Sequence, residues 1–122
     1  MMKALIVFLC ISLSVVSFAK KPRTLYLNDT KMETIFVSPN RTVILSFPTR
    51  PSKIILGQKS LFAVEYVEQD LAISPLRVPA TSNLFVYLEG RRFGFNLITG
   101  NGGDDIVVVR DSKEEKITPR VK

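Results

Sequence analysis

The clearest pattern of hydrophobic and polar residues lies in the stretch Ser82–Leu97, where the sequence predicts two strands joined by a tight turn. The predicted strands are Asn83–Glu89 and Arg92–Leu97. Gly90 lies in the turn between them, because glycine adopts the positive φ angles of short hairpin turns at little cost. Side chains alternate between the two faces of a strand. In the second strand this alternation assigns three residues to one apolar face, which we expect to be core: Phe93, Phe95 and Leu97.

The first strand of this hairpin is apolar on both faces, since Leu84, Val86 and Leu88 alternate with Phe85 and Tyr87. Such a strand fits a sheet that a core covers on one side and a partner covers on the other. Arg91 and Arg92 follow the turn and could contact an acidic neighbour. The alternative is that they form a charged turn that keeps the end of the hairpin soluble. The predicted partner contacts are therefore Phe85, Tyr87, Arg91 and Arg92.

Short apolar runs separated by proline and glycine occupy most of the remaining chain. The segment 61–68 also fits a helical period, but its β-branched and aromatic residues favour a strand. Pro39 and Asn40 form a turn pair, which predicts a hairpin between the first two strands. The strands predicted outside the main hairpin are Glu33–Ser38, Arg41–Phe47, Lys53–Leu56, Leu61–Glu68, Leu71–Ser74 and Asp105–Arg110. About eight short strands and the lack of a clear helical pattern predict an all-β fold, a single small β-sandwich, with a partly open barrel as the alternative.

The two ends of the chain differ from this pattern. Residues 1–19 combine Lys3, a continuous apolar run and a small residue at each of Ser17 and Ala19, which predicts a signal peptide that is cleaved after Ala19, and hence a periplasmic protein. The alternative is that the apolar run stays as an anchor, although it is shorter than a typical membrane span. We expect residues 20–32 to be a flexible lead-in, from which Leu25 and Leu27 could add a short strand at a sheet edge. The sandwich then covers residues 33–110, and residues 111–122 form a mobile charged tail.

The residue types present exclude several kinds of chemistry. The chain has no histidine, and its one cysteine, Cys10, lies within the predicted signal peptide. Catalytic triads, Cys-His dyads and most zinc sites are thereby excluded, and we predict no enzyme activity and no cofactor. Asp104 and Asp105 follow a glycine-rich turn, but they lack the ligand spacing of a calcium loop, so a polar turn is the preferred interpretation. The net charge is +6, with the basic residues scattered rather than interleaved with aromatic residues, which argues against a nucleic-acid surface.

Several short motifs occur in an order that is known from one protein family. The motifs are Phe47–Pro48, Ile54–Gln58 with Phe62 after it, Leu71–Pro75, Ser82–Leu84 and Arg92–Leu97. In this order the chain resembles the amino-terminal β-sandwich domain of the TrbG/CagX family, which contributes to the core complexes of type IV secretion and conjugation. The resemblance covers roughly residues 35–98, and the family's carboxy-terminal domain has no counterpart in it.

The resemblance implies a non-enzymatic structural or adaptor subunit in a secretion or conjugation assembly of the cell envelope. Its partners would be other proteins of the complex, or further copies of the chain in a ring. Two alternatives remain open at this point. One is an amino-terminal module of the kind found in pilus-type secretins. The other is a small periplasmic binding or inhibitor protein, which would need a concave pocket with convergent polar groups.

Overall fold

The computed structural model describes residues 21–111, so the predicted signal peptide and the tail from residue 112 onward lie outside the described residues. The described part of the chain is all-β, as predicted, and contains nine strands. The strands are β1 (Arg23–Leu27), β2 (Glu33–Val37), β3 (Val43–Ser46), β4 (Lys53–Leu56), β5 (Phe62–Val67), β6 (Asp70–Pro75), β7 (Thr81–Leu88), β8 (Arg91–Thr99) and β9 (Ile106–Asp111).

The nine strands form two sheets that share one hydrophobic core. The five-stranded sheet has the order β1-β9-β3-β6-β5, and the four-stranded sheet has the order β2-β8-β7-β4. The segment 61–68, which also fitted a helical period, forms β5 and pairs antiparallel with β6. Its β-branched and aromatic residues therefore indicated the correct element.

The main hairpin forms as predicted, and it is the longest pair of strands in the structure. Glu89 and Gly90 form its turn with φ angles of 49° and 75°, so both central residues have the positive φ that a type I′ turn requires. The inward residues of β8 are the predicted core residues Phe93, Phe95 and Leu97, and each is at most 1% exposed. The ring of Phe95 meets the ring of Phe47, which follows β3 of the opposite sheet, edge to face with 6.4 Å between the ring centres.

The predicted hairpin between the first two strands is wrong. β2 pairs in parallel with β8, whereas β3 lies in the other sheet between β6 and β9. The corner at Pro39 and Asn40, where Asn40 has a φ of 60°, carries the chain from one sheet to the other. The turn residues in the sequence correctly indicate a change of chain direction here. They do not indicate which strands pair with β2 and β3, because those strands lie far away in the sequence.

The sandwich begins at Arg23, earlier than the predicted boundary at Glu33. Leu25 and Leu27, whose spacing indicated an edge strand, lie in β1, are buried and pair in parallel alongside β9. The predicted lead-in therefore contributes a strand to the five-stranded sheet.

The loop between β8 and β9 crosses from the four-stranded sheet to the five-stranded sheet and packs closely against the end of β2. The backbone N–H of Gly103 donates to Oγ of buried Ser38 at 2.7 Å, and that of Asp104 donates to the carbonyl of Phe36 at 3.0 Å. A Cβ atom on Gly103 would lie 2.5 Å from the same carbonyl oxygen. Backbone cannot move aside as a side chain can, so this position requires glycine.

We predict that Gly103→Ala lowers the free energy of unfolding by about 2 kcal/mol, because the added methyl group forces the crossover loop away from β2. Urea unfolding followed by far-ultraviolet circular dichroism measures the change. Gly100→Ala is the matched control in the same loop, since its nearest neighbour would lie 4.0 Å from the new Cβ atom. The control should stay within about 0.5 kcal/mol of the parent. Equal losses in the two variants would contradict this account of the loop.

Candidate protein-binding surface

The outward side of the four-stranded sheet brings together three of the four predicted contact residues. Strand register places Lys53 of β4 beside Tyr87 of β7, and Tyr87 beside Arg92 of β8. The next outward row runs from Ile55 through Phe85 to Gly94. We call this surface the outer face and define it by its outward residues: Lys53, Ile55, Phe85, Tyr87, Arg92 and Gly94.

Met32, which precedes β2, extends the outer face by folding over Gly94. A Cβ atom on Gly94 would lie 2.1 Å from the sulfur of Met32 and 3.3 Å from Cε1 of Phe85. The missing side chain thus leaves room for a thioether and an aromatic ring to pack on the sheet. Beside them is an open cleft of about 210 Å³, lined by Asp29, Thr30, Lys31, Met32, Phe85, Arg92 and Gly94.

The outer face is apolar and basic. Met32 and Ile55 are 40% and 41% exposed, which is high for side chains of their type, while Phe85 and Tyr87 are half-buried. The outward positions of β2, β4, β7 and β8 include Lys53 and Arg92 but no aspartate or glutamate. Exposed apolar side chains bordered by polar and charged residues are typical of a surface that binds another molecule.

Arg91, the fourth predicted contact residue, lies on the other side of the sheet. It pairs with Leu88 and so points inward, in line with Phe93. Its guanidinium group lies 4.8 Å from the centre of the Phe93 ring, donates through Nη1 to Asp111, and places Nε 3.5 Å from Oδ2 of Asp29. The hydrogen bond with Asp111 raises the pKa of Arg91; burial opposes this effect, and the charges of Asp111 and Asp29 add to it. Arg91 therefore ties β8 to the end of β9 and to the loop after β1.

We predict that Arg91→Met lowers the free energy of unfolding by about 2 kcal/mol, because it leaves two carboxylates without their cation and removes a charged hydrogen bond. Arg92→Met is the matched control at the neighbouring position, where the side chain is exposed and has no ion pair within residues 21–111. It should change the free energy by less than about 0.5 kcal/mol. Chemical denaturation of both variants at neutral pH makes the comparison, and a larger loss for Arg92→Met would overturn the assignment of the two roles.

The two aspartates considered for a calcium loop are paired with arginines. Asp104 lies 2.8 Å from Nη1 of Arg23, and Asp105 lies 2.9 Å from Nη2 of Arg41. Within residues 21–111, no three histidine, cysteine, aspartate or glutamate side chains come together in a way that could hold a metal ion. The ion pairs instead link the crossover loop to β1 and to the corner between β2 and β3, in agreement with the interpretation as a polar turn.

A second open cleft lies on the five-stranded sheet. It has a volume of about 230 Å³, and its lining includes Ser46, Pro48, Gln69 and Arg110. Arg110 is its one charged lining residue, so it lacks the paired titratable groups that acid–base chemistry uses.

The part of the chain that the structure describes also contains no helix that could serve as a membrane span.

Sequence reasoning did not identify Met32, Lys53 and Ile55 as part of the surface. Alternation within β4 could have indicated that Lys53 and Ile55 share a face. Their position beside Tyr87 and Phe85 depends on strand order, which local sequence does not encode. The same alternation could have indicated that Arg91 shares a face with Phe93 and points inward.

Comparisons of the chain with models of known protein families and with curated proteins found no match. The resemblance to the TrbG/CagX family therefore rests on the motifs alone.

Proposed function

We propose that this chain is a non-enzymatic, exported structural or adaptor subunit of a secretion or conjugation assembly in the cell envelope, and that it acts through protein–protein contacts. The observation that carries the proposal is the outer face, an exposed apolar and basic surface on a sheet whose opposite side packs on the core. The TrbG/CagX-like order of motifs supports the choice of assembly.

The chemistry of the outer face fits a protein partner with an acidic border. Tyr87 and Phe85 present aromatic area, which contributes strongly to binding energy at interfaces. Lys53 and Arg92 flank Tyr87 on the two neighbouring strands and would attract carboxylates as the partner approaches. Arg91 is not needed for this role, since its guanidinium is engaged with Asp111 and Asp29.

The absence of histidine from the chain supports a binding role over a catalytic one, because the common acid–base and nucleophile pairs depend on that residue. Serine and lysine could replace it only with a positioned partner. The outer face offers lysine, arginine, aromatic and aliphatic groups, which bind rather than react.

We predict that the double change Tyr87→Ala and Arg92→Ala reduces recovery of the main partner at least roughly tenfold in a crosslinking pull-down of the tagged protein from its own cells, with partners identified by mass spectrometry. Both side chains lie outside the core, so the variant should keep the circular dichroism spectrum of the parent. The matched control is the pair Glu65→Ala and Val67→Ala, which changes exposed residues on the outward side of the five-stranded sheet. It should leave recovery unchanged.

The identity of the recovered proteins decides the assembly. A secretion lipoprotein or an inner-membrane channel subunit would support a type IV secretion-like core complex, and a secretin would favour the pilus-type module instead. Recovery of a soluble hydrolase, or full recovery of every partner by the double variant, would overturn the proposal.

A further inference from the structure

The four outermost strands of the two sheets are not equally open to another strand. β2 is closed along its free edge: the carbonyl of Phe36 accepts from the N–H of Asp104 at 3.0 Å, and the carbonyl of Thr34 accepts from the guanidinium of Arg23 at 3.4 and 3.5 Å. These contacts use carbonyl groups that an added strand would need. Blocking an edge in this way is a common protection against unwanted pairing.

The free edge of β4 presents the opposite situation. Gly57 donates its N–H to the carbonyl of Asn83 at 3.0 Å, which continues the register that pairs Leu56 with Leu84. Hydrogen bonding alternates along an antiparallel pair, so Lys53, Ile55 and Gly57 are directed toward β7. The backbone groups of Ile54 and Leu56 are consequently directed away from the sheet. Within residues 21–111, the turn, loop and side-chain hydrogen bonds do not involve either residue.

The hydrophobic core is incompletely covered beside β4. The guanidinium of Arg50, in the loop that leads into β4, lies 4.7 Å from the centre of the Tyr66 ring and donates to the carbonyl of Glu68 at 3.4 Å. This loop therefore packs against β5, the outermost strand of the five-stranded sheet. The hydrophobic residues that pack on the core but stay partly exposed all belong to β4, to β5 or to the residue just before β5: Ile54, Leu56, Leu61, Val64 and Tyr66. An added strand would cover apolar area here as well as pairing open backbone groups.

We infer that the free edge of β4 accepts an extended, largely apolar segment of a partner protein that carries an acidic residue on its outward side. Apolar side chains of the segment face inward, beside Ile54 and Leu56. Outward, an acidic side chain lies beside Lys53 and an apolar side chain lies beside Ile55. Charge complementarity selects this pattern, because Lys53 is exposed and the outer face carries basic but no acidic strand residues. The inference rests on the proposed function, in that it names the kind of partner segment that such a subunit would hold.

The outward strand positions argue for β4 over its neighbour β5. β5 carries Glu65 outward, and a glutamate there would repel an acidic segment. A second copy of the chain fits β4 less well than an acidic segment, because β4 is itself basic through Lys53 and has no carboxylate to offer in return.

The test uses a fluorescein-labelled heptapeptide of sequence Ser-Val-Ile-Val-Asp-Val-Ser, capped at both ends, and a second peptide with lysine in place of the aspartate. Fluorescence anisotropy measures binding to the protein. The aspartate peptide should bind about threefold more tightly than the lysine peptide, as expected for an exposed charge pair, and the preference should reverse in Lys53→Glu. Hydrogen exchange at the amides of Ile54 and Leu56 should slow at least roughly tenfold with saturating peptide.

Ile55→Lys provides an edge variant that leaves the core intact, since this side chain is outward and 41% exposed. It should weaken binding of the aspartate peptide at least roughly tenfold, because a flexible charged side chain would replace an apolar contact beside the added strand. Glu65→Lys on β5 is the control and should bind the peptide as the parent does. The inference is overturned if saturating peptide leaves hydrogen exchange at Ile54 and Leu56 unchanged, or if Lys53→Glu does not reverse the preference between the two peptides. It is also overturned if sedimentation shows a concentration-dependent dimer of the protein that Ile55→Lys abolishes, because a second copy would then occupy the edge of β4.

Failure of this inference can be separated from failure of the proposed function in the pull-down. Loss of the partner from the Tyr87→Ala and Arg92→Ala variant but not from Ile55→Lys would retain the proposed function and reject strand addition at β4. Retention of every partner by all variants would reject both.

Discussion

The structure depends on the burial of one face of nearly every strand against the opposite sheet. The chain contains a single cysteine, so no disulfide within the chain supports the fold, and the hydrophobic core provides the stability. The main hairpin provides the central part of that core through Leu84, Val86, Phe93 and Phe95, all at most 1% exposed. Parallel pairing of β1 and β3 with β9, and of β2 with β8, then brings distant segments onto the same framework.

Because the core uses one side of each sheet, the opposite sides are available for other roles. On the four-stranded sheet this side is apolar and basic, and Gly94 lets Met32 and Phe85 pack onto it. Two neighbouring arginines show how finely strand alternation divides these roles. Arg91 points inward and joins Asp29 and Asp111, whereas Arg92 points outward beside Tyr87. One residue stabilises the fold and the other is available to a partner.

The edges of the sheets add a second level of organisation. The free edge of β2 is closed, because the carbonyl of Thr34 accepts from Arg23 and that of Phe36 accepts from the N–H of Asp104. The free edge of β4 keeps open backbone groups, and partly exposed hydrophobic residues of β4 and β5 lie beside it. The two edges therefore differ: contacts within the chain occupy carbonyl groups of β2, whereas β4 is the edge that we propose accepts a partner strand.

The sequence by itself determined the all-β class, the main hairpin with its turn at Gly90, and the inward position of Phe93, Phe95 and Leu97. These features are local: they follow from alternation and turn chemistry within a few residues. Only the tertiary structure decided that β2 and β3 lie in different sheets, that β1 belongs to the sandwich, and that Lys53 and Ile55 stand beside Tyr87 and Phe85. It also decided that Arg91 meets Asp29 and Asp111. The physical reason is that strand pairing joins segments far apart in the chain, and the energy that selects each partner comes from burying shared apolar surface, which no short stretch of sequence contains.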